Sequence, residues 1–472
     1  MSAPRVVSLG LWAFLLCCLL CGSAPAQSAS PAAWKSRTIY QLLTDRFAQT
    51  SDGSYAPCNN LSNYCGGSFQ GIINHLDYII GMGFDAIWIS PIVTNTPGGY
   101  HGYWSQDLFG INPHFGTADD LRQLISACHA RGVWVMLDVV ANHMGGNVPM
   151  SQLSPFNQSE HYHRCVACPS NCQINDYTPE VQLCKLAGLP DLNQTNPYVK
   201  SQLINWIRTL MDYGFDGLRI DTVPEIEPGF WVDFVSAANT YAVGEVFSDL
   251  SCCATYQKQA LPGVLSYPLF WTLRSVFQQK QSMNQLQSTF FSYQSQFADM
   301  DLLGTFIDNH DNARFLSGTS DYKLYQNAIT YTLMAQGIPI IYYGTEQGYD
   351  GTNDPNNRES LWQTRFSTQN PLYQLIRTIV SYRKQAQVWQ YPQVQRYSDD
   401  TFYAFTRGTT FVALTNAGSN SGTLMRTITY HPYKEGTKLC EIFYPTDCVV
   451  VQNGSFPVYL DNGESKIFYP VN

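Results

Sequence analysis

The sequence predicts an α/β chain: a closed barrel of eight parallel strand–helix units, a subdomain inserted after strand 3, and a C-terminal antiparallel β-sandwich domain. Two observations carry the barrel. Short apolar runs alternate with longer segments of helical spacing over roughly 360 residues. The runs also share one feature, for they start apolar and turn polar at their C-terminal ends. Buried parallel strands are otherwise continuously apolar, so polar groups gathered at those ends mark the mouth where a barrel keeps its chemistry. A third observation, a change of rhythm after Pro392, carries the second domain.

Residues 1–26 read as a signal peptide. They hold one positive charge at Arg5, an apolar run from Leu9 to Cys21, and a small-residue cleavage pattern at Ala24-Pro25-Ala26. The run is short for a membrane span and no basic flank follows it. The expectation is a secreted, extracellular protein with no membrane partner.

The barrel strands are IYQLLTDRF from Ile39, FDAIWISPI from Phe84, GVWVMLDVVANH from Gly132, GFDGLRIDT from Gly214, TYAVGEVF from Thr240, GVLSYPLF from Gly263, LLGTFIDNHD from Leu302 and IPIIYYGTEQG from Ile338. Their polar ends are Asn142-His143, Arg219 to Asp221, Glu245, His310-Asp311 and Glu346. After His143 comes a long stretch rich in Asn, Ser, Pro and Cys before the next helix near Pro197. So long an irregular segment is more often a functional insertion than a plain loop. Beyond Pro392 the runs become short and alternating (TFYAFTRG, TFVALTN, TLMRTITY, VVVQNG), as in an antiparallel β-domain. The expected limits are 27–142 and 197–392 for a (β/α)8 TIM barrel, 143–196 for the inserted subdomain and 393–472 for the C-terminal domain.

The formal charge of −9 argues against a nucleic-acid partner, whose phosphates need a basic surface. Nothing in the sequence requires more than a monomer. Three of the 14 cysteines fall in the first 26 residues, and export makes disulfides the default for the others. Cys58 with Cys65 and Cys440 with Cys448 are short-loop pairs. Cys165, Cys168, Cys172 and Cys184 crowd one segment and read as two disulfides rather than a zinc site. The pairing of adjacent Cys252 and Cys253 is open, and Cys128, within a helical stretch, reads as an unpaired buried thiol. Sequons at Asn60, Asn157, Asn193 and Asn453 fit a glycosylated protein.

Cleaving a glycosidic bond through an oxocarbenium-like transition state takes two carboxyl groups, one to protonate the leaving oxygen and one to attack or to activate water. Arg219 and Asp221 stand two apart on a strand, so both face the barrel mouth. A guanidinium there is expected to hold Asp221 ionised, as a nucleophile must be. Glu245, ending an apolar strand, suits the acid/base role.

At this point the motifs DVVANH (Asp138–His143), GLRID (Gly217–Asp221), GEV (Gly244–Val246) and FIDNHD (Phe306–Asp311) resemble, in order, the four motifs of the α-amylase family, glycoside hydrolase family 13. YQLLTDRF, GYHGYW (Gly99–Trp104), LPDL (Leu189–Leu192) and NDPNNR (Asn353–Arg358) extend the resemblance over essentially the whole mature chain, closest in kind to secreted fungal members. The resemblance implies Asp221 as nucleophile, Glu245 as acid/base and Asp311 as transition-state stabiliser. It implies that His143, Arg219 and His310 hold the sugar and nucleophile, that Tyr103 stacks on that sugar with His101 and Trp104 nearby, and that Asp354 and Arg358 bind the next sugar on the non-reducing side. It also implies a structural Ca2+ clamping the insertion to the barrel, with Asn142 and Asp191 as side-chain ligands. Gln182 and Glu225 stand where relatives have Glu and His, and backbone carbonyls can serve at both.

The clearest departure is Pro224-Glu225, where fungal relatives read Lys-His. Losing an ammonium donor and gaining a carboxylate is expected to weaken binding on the leaving-group side. The leading expectation is an α-amylase hydrolysing internal α-1,4 bonds of starch, glycogen and maltooligosaccharides with retention. The alternative is a 4-α-glucanotransferase using the same intermediate, and the remaining one a non-catalytic glycan-binding relative.

Overall fold

The computed structural model describes residues 29–51, 53–164, 173–174 and 179–471. Residues 1–26, read above as a signal peptide, and Cys165, Cys168 and Cys172 lie outside them. The eight runs form eight parallel strands: β1 (Ile39–Leu42), β2 (Ala86–Ile89), β3 (Trp134–Val139), β4 (Gly217–Ile220), β5 (Tyr241–Gly244), β6 (Gly263–Val264), β7 (Gly304–Thr305) and β8 (Ile338–Tyr342). Hydrogen bonds link them in the order 6-5-4-3-2-1-8-7. A parallel bridge between Leu265 and Gly304 closes the circle.

The two-residue period of the strands sorts their side chains. Tyr40, Ile87, Ile89, Val135, Leu137, Leu218 and Ile220 pack outward under the helices. Ile39, Ala86, Met136, Tyr241, Val243, Ile338 and Ile340 fill the barrel with Trp34 beneath them. Gly217 has to be glycine here, because a Cβ would lie 2.6 Å from the Trp34 ring. One layer higher the inward positions become Gln41, Trp88, Asp138 and Arg219, two residues beyond Ile39, Ala86, Met136 and Gly217. The floor of the site is therefore the next turn of the same alternation.

Helices cover the barrel. Helix α1 (Ala118–His129) starts with a capping box between Thr117 and Asp120 and buries Leu121, Leu124, Ile125 and Cys128. Cys128 is indeed an unpaired buried thiol, its pKa pushed up to about 12 by burial. Helix α2 (Pro197–Met211) begins at the expected place, capped by Asn196. Helices α3 (Tyr322–Met334) and α4 (Pro371–Ala386) follow β7 and β8.

Among the described residues, the segment between β3 and α2 holds three short 3-10 turns and one short parallel pair, Gln173–Ile174 with Lys185–Leu186. It returns to the barrel as an antiparallel pair in which Met144 N–H donates to Pro190 O and Leu192 N–H to Asn142 O. One element is not signalled by the sequence. The β2–β3 connection carries a twisted hairpin, Val93–Asn95 with Ser105–Ile111, whose turn presents GYHGYW and which bridges the insertion at Ser154.

The C-terminal strands are β9 (Gln393–Ser398), β10 (Phe402–Arg407), β11 (Thr410–Thr415), β12 (Thr423–Ile428), β13 (Lys438–Glu441), β14 (Cys448–Val450), β15 (Phe456–Asp461) and β16 (Lys466–Val471). They form a six-stranded sheet in the order 9-10-11-16-13-14 and a two-stranded sheet, 12-15, all pairs antiparallel. Phe402, Phe411, Phe456, Val458 and Leu460 fill the sandwich. The outer face of the larger sheet, Tyr403, Phe405, Val412 and Leu414, packs on the barrel instead. Strands β10 and β11 are therefore buried along their whole length.

Cys58–Cys65 and Cys440–Cys448 are bonded as expected, and Cys184 is disulfide-bonded. Cys252 and Cys253 are free thiols on one helix.

Candidate active site

Strand β4 ends in Arg219 and Ile220 with Asp221 directly after it, and the carboxylates at the mouth are organised by that arginine. It is fully buried. Its Nη1 donates to Asp138 Oδ1 at 2.9 Å and to Asp221 Oδ1 at 2.8 Å, while Nη2 pairs with Glu245 Oε2 at 2.9 Å. One guanidinium thus serves three carboxylates from β3, β4 and β5, which a lysine could not match in fork geometry. Immediately after Asp221 the chain turns off the strand through Thr222 at φ 47°. For a β-branched residue this left-handed conformation costs about 1–3 kcal/mol. It directs the Thr222 N–H to Glu245 Oε2 at 3.2 Å.

Burial raises both carboxyl groups, more strongly than Arg219 lowers them. Asp221 is pushed up to about 6 and Glu245 up to about 8. At Asp221 the Arg219 guanidinium favours the ionised form, as expected, while desolvation moves the group above the ordinary carboxylate range. The order of the two is the useful one, with the group at Glu245 holding its proton to higher pH.

Asp311 follows β7 on an irregular turn. Its N–H donates to Asn309 Oδ1 at 3.1 Å, and its carboxylate lies 3.2 Å from His310 Nε2 and 3.6 Å from Arg358 Nη2. Of the three carboxylates it is the exposed one, with 36% of its side chain accessible.

These groups line one cleft of about 380 Å3 together with His101, Tyr103, Trp104, His143, Asp354 and Arg358. Every expected sugar-contacting residue is there except Arg219 and His310, which sit just behind the wall. The Tyr103 hydroxyl donates to Asp138 Oδ2 at 2.7 Å and lies 2.7 Å from His310 Nε2, its ring parallel to the imidazole. Burial drives the His101 and His310 pKa values well down and that of His143 to about 4. All three are therefore neutral hydrogen-bonding groups near pH 7. Arg358 pairs with Asp354 at 3.0 Å and donates from Nε to His310 O, tying the far wall to β7.

Several cleft residues carried no role in the sequence reading. Asp138 accepts from Trp88 Nε1, Tyr103 and Arg219, and Gln41 Nε2 lies 2.8 Å from His310 Nδ1. Both are polar residues inside apolar strands, which is the signal that could have found them. Phe247, Leu186 and Leu189 also line the cleft, and the Tyr267 hydroxyl reaches Glu245 Oε1 at 3.3 Å. Glu346 is the strand-end residue that does not belong. It is buried away from the cleft, accepting from Tyr40 and Tyr78 hydroxyls at 2.7 and 2.8 Å.

Residues 41–371 match the family model described as alpha amylase, catalytic domain. This chain belongs to the α-amylase family. It is a glycosidase of that type. It is 40% identical over 464 residues to the alpha-amylase of Saccharomycopsis fibuligera, covering 93% of this chain and 92% of that one. Alpha-amylase 2 of Schwanniomyces occidentalis is 39% identical over 476 residues, 95% and 92% of the two chains. The solved structure of an alpha-amylase from Malbranchea cinnamomea superposes with a TM-score of 0.88 at 39% identity, covering 94% of this chain and 98% of that one.

Membership raises the question of the calcium. Asn142 Oδ1, Asp191 Oδ1 and both carboxylate oxygens of Glu225 are buried without a hydrogen-bond partner among the described residues. Asp191 Oδ2 is held by His163 Nδ1 at 2.7 Å. Four orphaned hard oxygens are the donor chemistry a calcium ion takes, so the residues fit. The Gln182 side chain hydrogen-bonds with Tyr256, which leaves its backbone carbonyl for the role. No three His, Cys, Asp or Glu side chains converge as a ready-made metal cluster among the described residues. A cation here therefore depends on Asn142 and on carbonyls.

Glu225 corrects an expectation. The turn Val223–Glu225 is buried, Tyr256 donates to Pro224 O at 3.2 Å, and Glu225 is 1% exposed. The carboxylate is not in the cleft and adds no charge to the leaving-group side. Burial, then Glu245, Asp221 and Asp191, push it well above the usual carboxylate range.

Proposed function

We propose that this protein is a secreted, retaining α-amylase that cleaves internal α-1,4-glucosidic bonds of starch, glycogen and maltooligosaccharides. The observation that carries the reading is the shared guanidinium: Asp221 and Glu245 grip opposite nitrogens of Arg219 at 2.8 and 2.9 Å. Two carboxylates sharing one guanidinium support the short separation of retaining enzymes over the wider gap that admits a water between sugar and base. Asp221 attacks the anomeric carbon, and Glu245 gives its proton to the departing glycosidic oxygen. Glu245 then takes a proton from the water that attacks the glycosyl–Asp221 ester, freeing Asp221 and the α-anomeric product. Asp311 stabilises the positive charge developing on the sugar. Tyr103 offers the ring face for that sugar, and neutral His143 and His310 bond its hydroxyls.

Calcium, bound through Asn142, Asp191, Glu225 and the Gln182 carbonyl, would supply charge neutralisation and clamp the insertion to the barrel. Secretion is supported by the two described disulfide pairs, which persist in oxidising compartments. No described helix is long and apolar enough to cross a membrane.

The test is incubation with maltooligosaccharides of defined length, following product size and reducing ends together. Hydrolysis raises reducing ends in step with shortening. Products longer than the substrate with no rise in reducing ends would replace this reading by the glucanotransferase.

A further inference from the structure

Glu245 presents its two oxygens to different neighbours. Oε2 faces Arg219 Nη2 at 2.9 Å and accepts the Thr222 N–H at 3.2 Å. Oε1 faces the Tyr267 hydroxyl at 3.3 Å. A carboxyl oxygen offers two lone pairs, so Oε2 is filled by its two donors. The proton that Glu245 carries into the reaction therefore sits on Oε1, the oxygen beside Tyr267.

Tyr267 heads the helix Tyr267–Leu273 that follows β6. Its ring is fully buried, set edge-on against Phe247 and Phe306 at centroid distances of 4.7 and 5.1 Å. Those contacts need only a ring, and a phenylalanine would make them. The hydroxyl asks for its own explanation, because a buried polar group is costly without partners. Asn309, itself 3% exposed, donates to it from Nδ2 at 2.9 Å. The orientation of that amide is fixed, since its Oδ1 accepts from Asp311 N–H, Asn312 N–H and Asn312 Nδ2 at 3.1, 3.0 and 2.9 Å. The phenol oxygen is thus an acceptor toward Asn309, and its own hydrogen is directed to Glu245.

We propose that Tyr267 is a positioning residue for the acid/base, oriented by Asn309, which steers the Glu245 proton into the cleft and stabilises the carboxylate left behind. This rests on the reading of Glu245 as the acid. In the first step the proton on Oε1 passes to the glycosidic oxygen as the bond from that oxygen to the anomeric carbon breaks. Glu245 keeps the electron pair of its O–H bond, so charge develops on Oε1 and the long Tyr267 contact tightens onto it. An interaction stronger in the transition state than in the resting enzyme is the kind that accelerates a step. The same amide holds the turn that carries Asp311, so acid and stabiliser share one register.

The test compares full-length wild type, Tyr267→Phe and Asn309→Asp on two substrates by kcat/KM, which reports the first bond cleavage. Maltopentaose has a sugar leaving group that needs a proton, whereas the nitrophenolate of nitrophenyl α-maltotrioside leaves with little need of one. Tyr267→Phe keeps the ring and should lower kcat/KM on maltopentaose about tenfold, and on the nitrophenyl substrate by less than about twofold. Asn309→Asp should show the same split, because a carboxylate there would take the Tyr267 hydrogen for itself. Equal losses on both substrates, or none on either, would overturn the proposal, since packing alone does not distinguish leaving groups. Glu245→Gln separates the two readings. If it lost both substrates equally, the assignment of the acid would fail and this proposal with it. A selective Glu245→Gln beside an unselective Tyr267→Phe would overturn this proposal alone.

Discussion

Two groups of buried oxygen ligands lie at the same end of the barrel, and they are neutralised in opposite ways. Asp138, Asp221 and Glu245 share Arg219, a cation built into the strand beneath them. Asn142, Asp191 and Glu225 share no arginine among the described residues; Asp191 meets only His163, and four of their oxygens are left unbonded there. An unpaired buried carboxylate is expensive unless it is protonated or meets a cation. The first group is therefore complete as the chain folds, whereas the second is where the proposed calcium would supply the missing charge. On that proposal, charge that must change during a reaction sits on the self-contained group, and charge that only has to hold two segments together is left to the metal.

The largest way to break this contrast is at the nucleophile. Asp221→Asn should lower kcat by about 10^4 or more, since chemistry stops when the attacking group is lost, with the fold intact because Arg219 still meets Asp138 and Glu245. Glu245→Gln should cost about 10^2–10^4 on substrates with a poor leaving group.

The same pair predicts the pH profile. Asp221 must be ionised and Glu245 protonated, so kcat/KM should rise as pH climbs through about 6 and fall as it passes about 8. The alkaline limb should disappear in Glu245→Gln. A limb that stays in that variant would assign the acid elsewhere.

The smaller effects probe the second group. Chelation should lower the melting temperature, and about 100-fold excess of calcium over its Kd should restore about 2.7 kcal/mol. Glu225→Gln should weaken calcium binding about tenfold by calorimetry. It should melt lower than wild type with calcium, yet no lower in chelator, because glutamine removes a charge that only the ion can offset. Equal melting shifts under both conditions would remove Glu225 from the cation site.

Much of this was legible in the sequence because barrel strands announce themselves twice, by apolar runs and by polar ends. Arg219 and Asp221 were readable from a two-residue spacing on one strand. What escaped has physical causes. The hairpin Val93–Asn95 with Ser105–Ile111 is broken by register shifts, so its alternation does not persist. Glu346 looks like any acidic strand end, and only the tyrosines at Tyr40 and Tyr78, distant in sequence, tell it from a cleft residue. Glu225 follows a proline turn that rotates it inward, a consequence of Thr222 at φ 47° that no periodicity records. Strands β10 and β11 lose their one-faced character because the barrel covers the face that would otherwise meet water.

The central claim is that Asp221 forms a covalent bond to the sugar. Its most direct test is to trap the intermediate with a 2-fluorinated α-glucosyl substrate and locate the label by peptide mass spectrometry. The account predicts one added sugar on the peptide containing Asp221, released slowly as the α-anomer. A label on Glu245 or Asp311, or a β-anomeric product with no trapped enzyme, would contradict it.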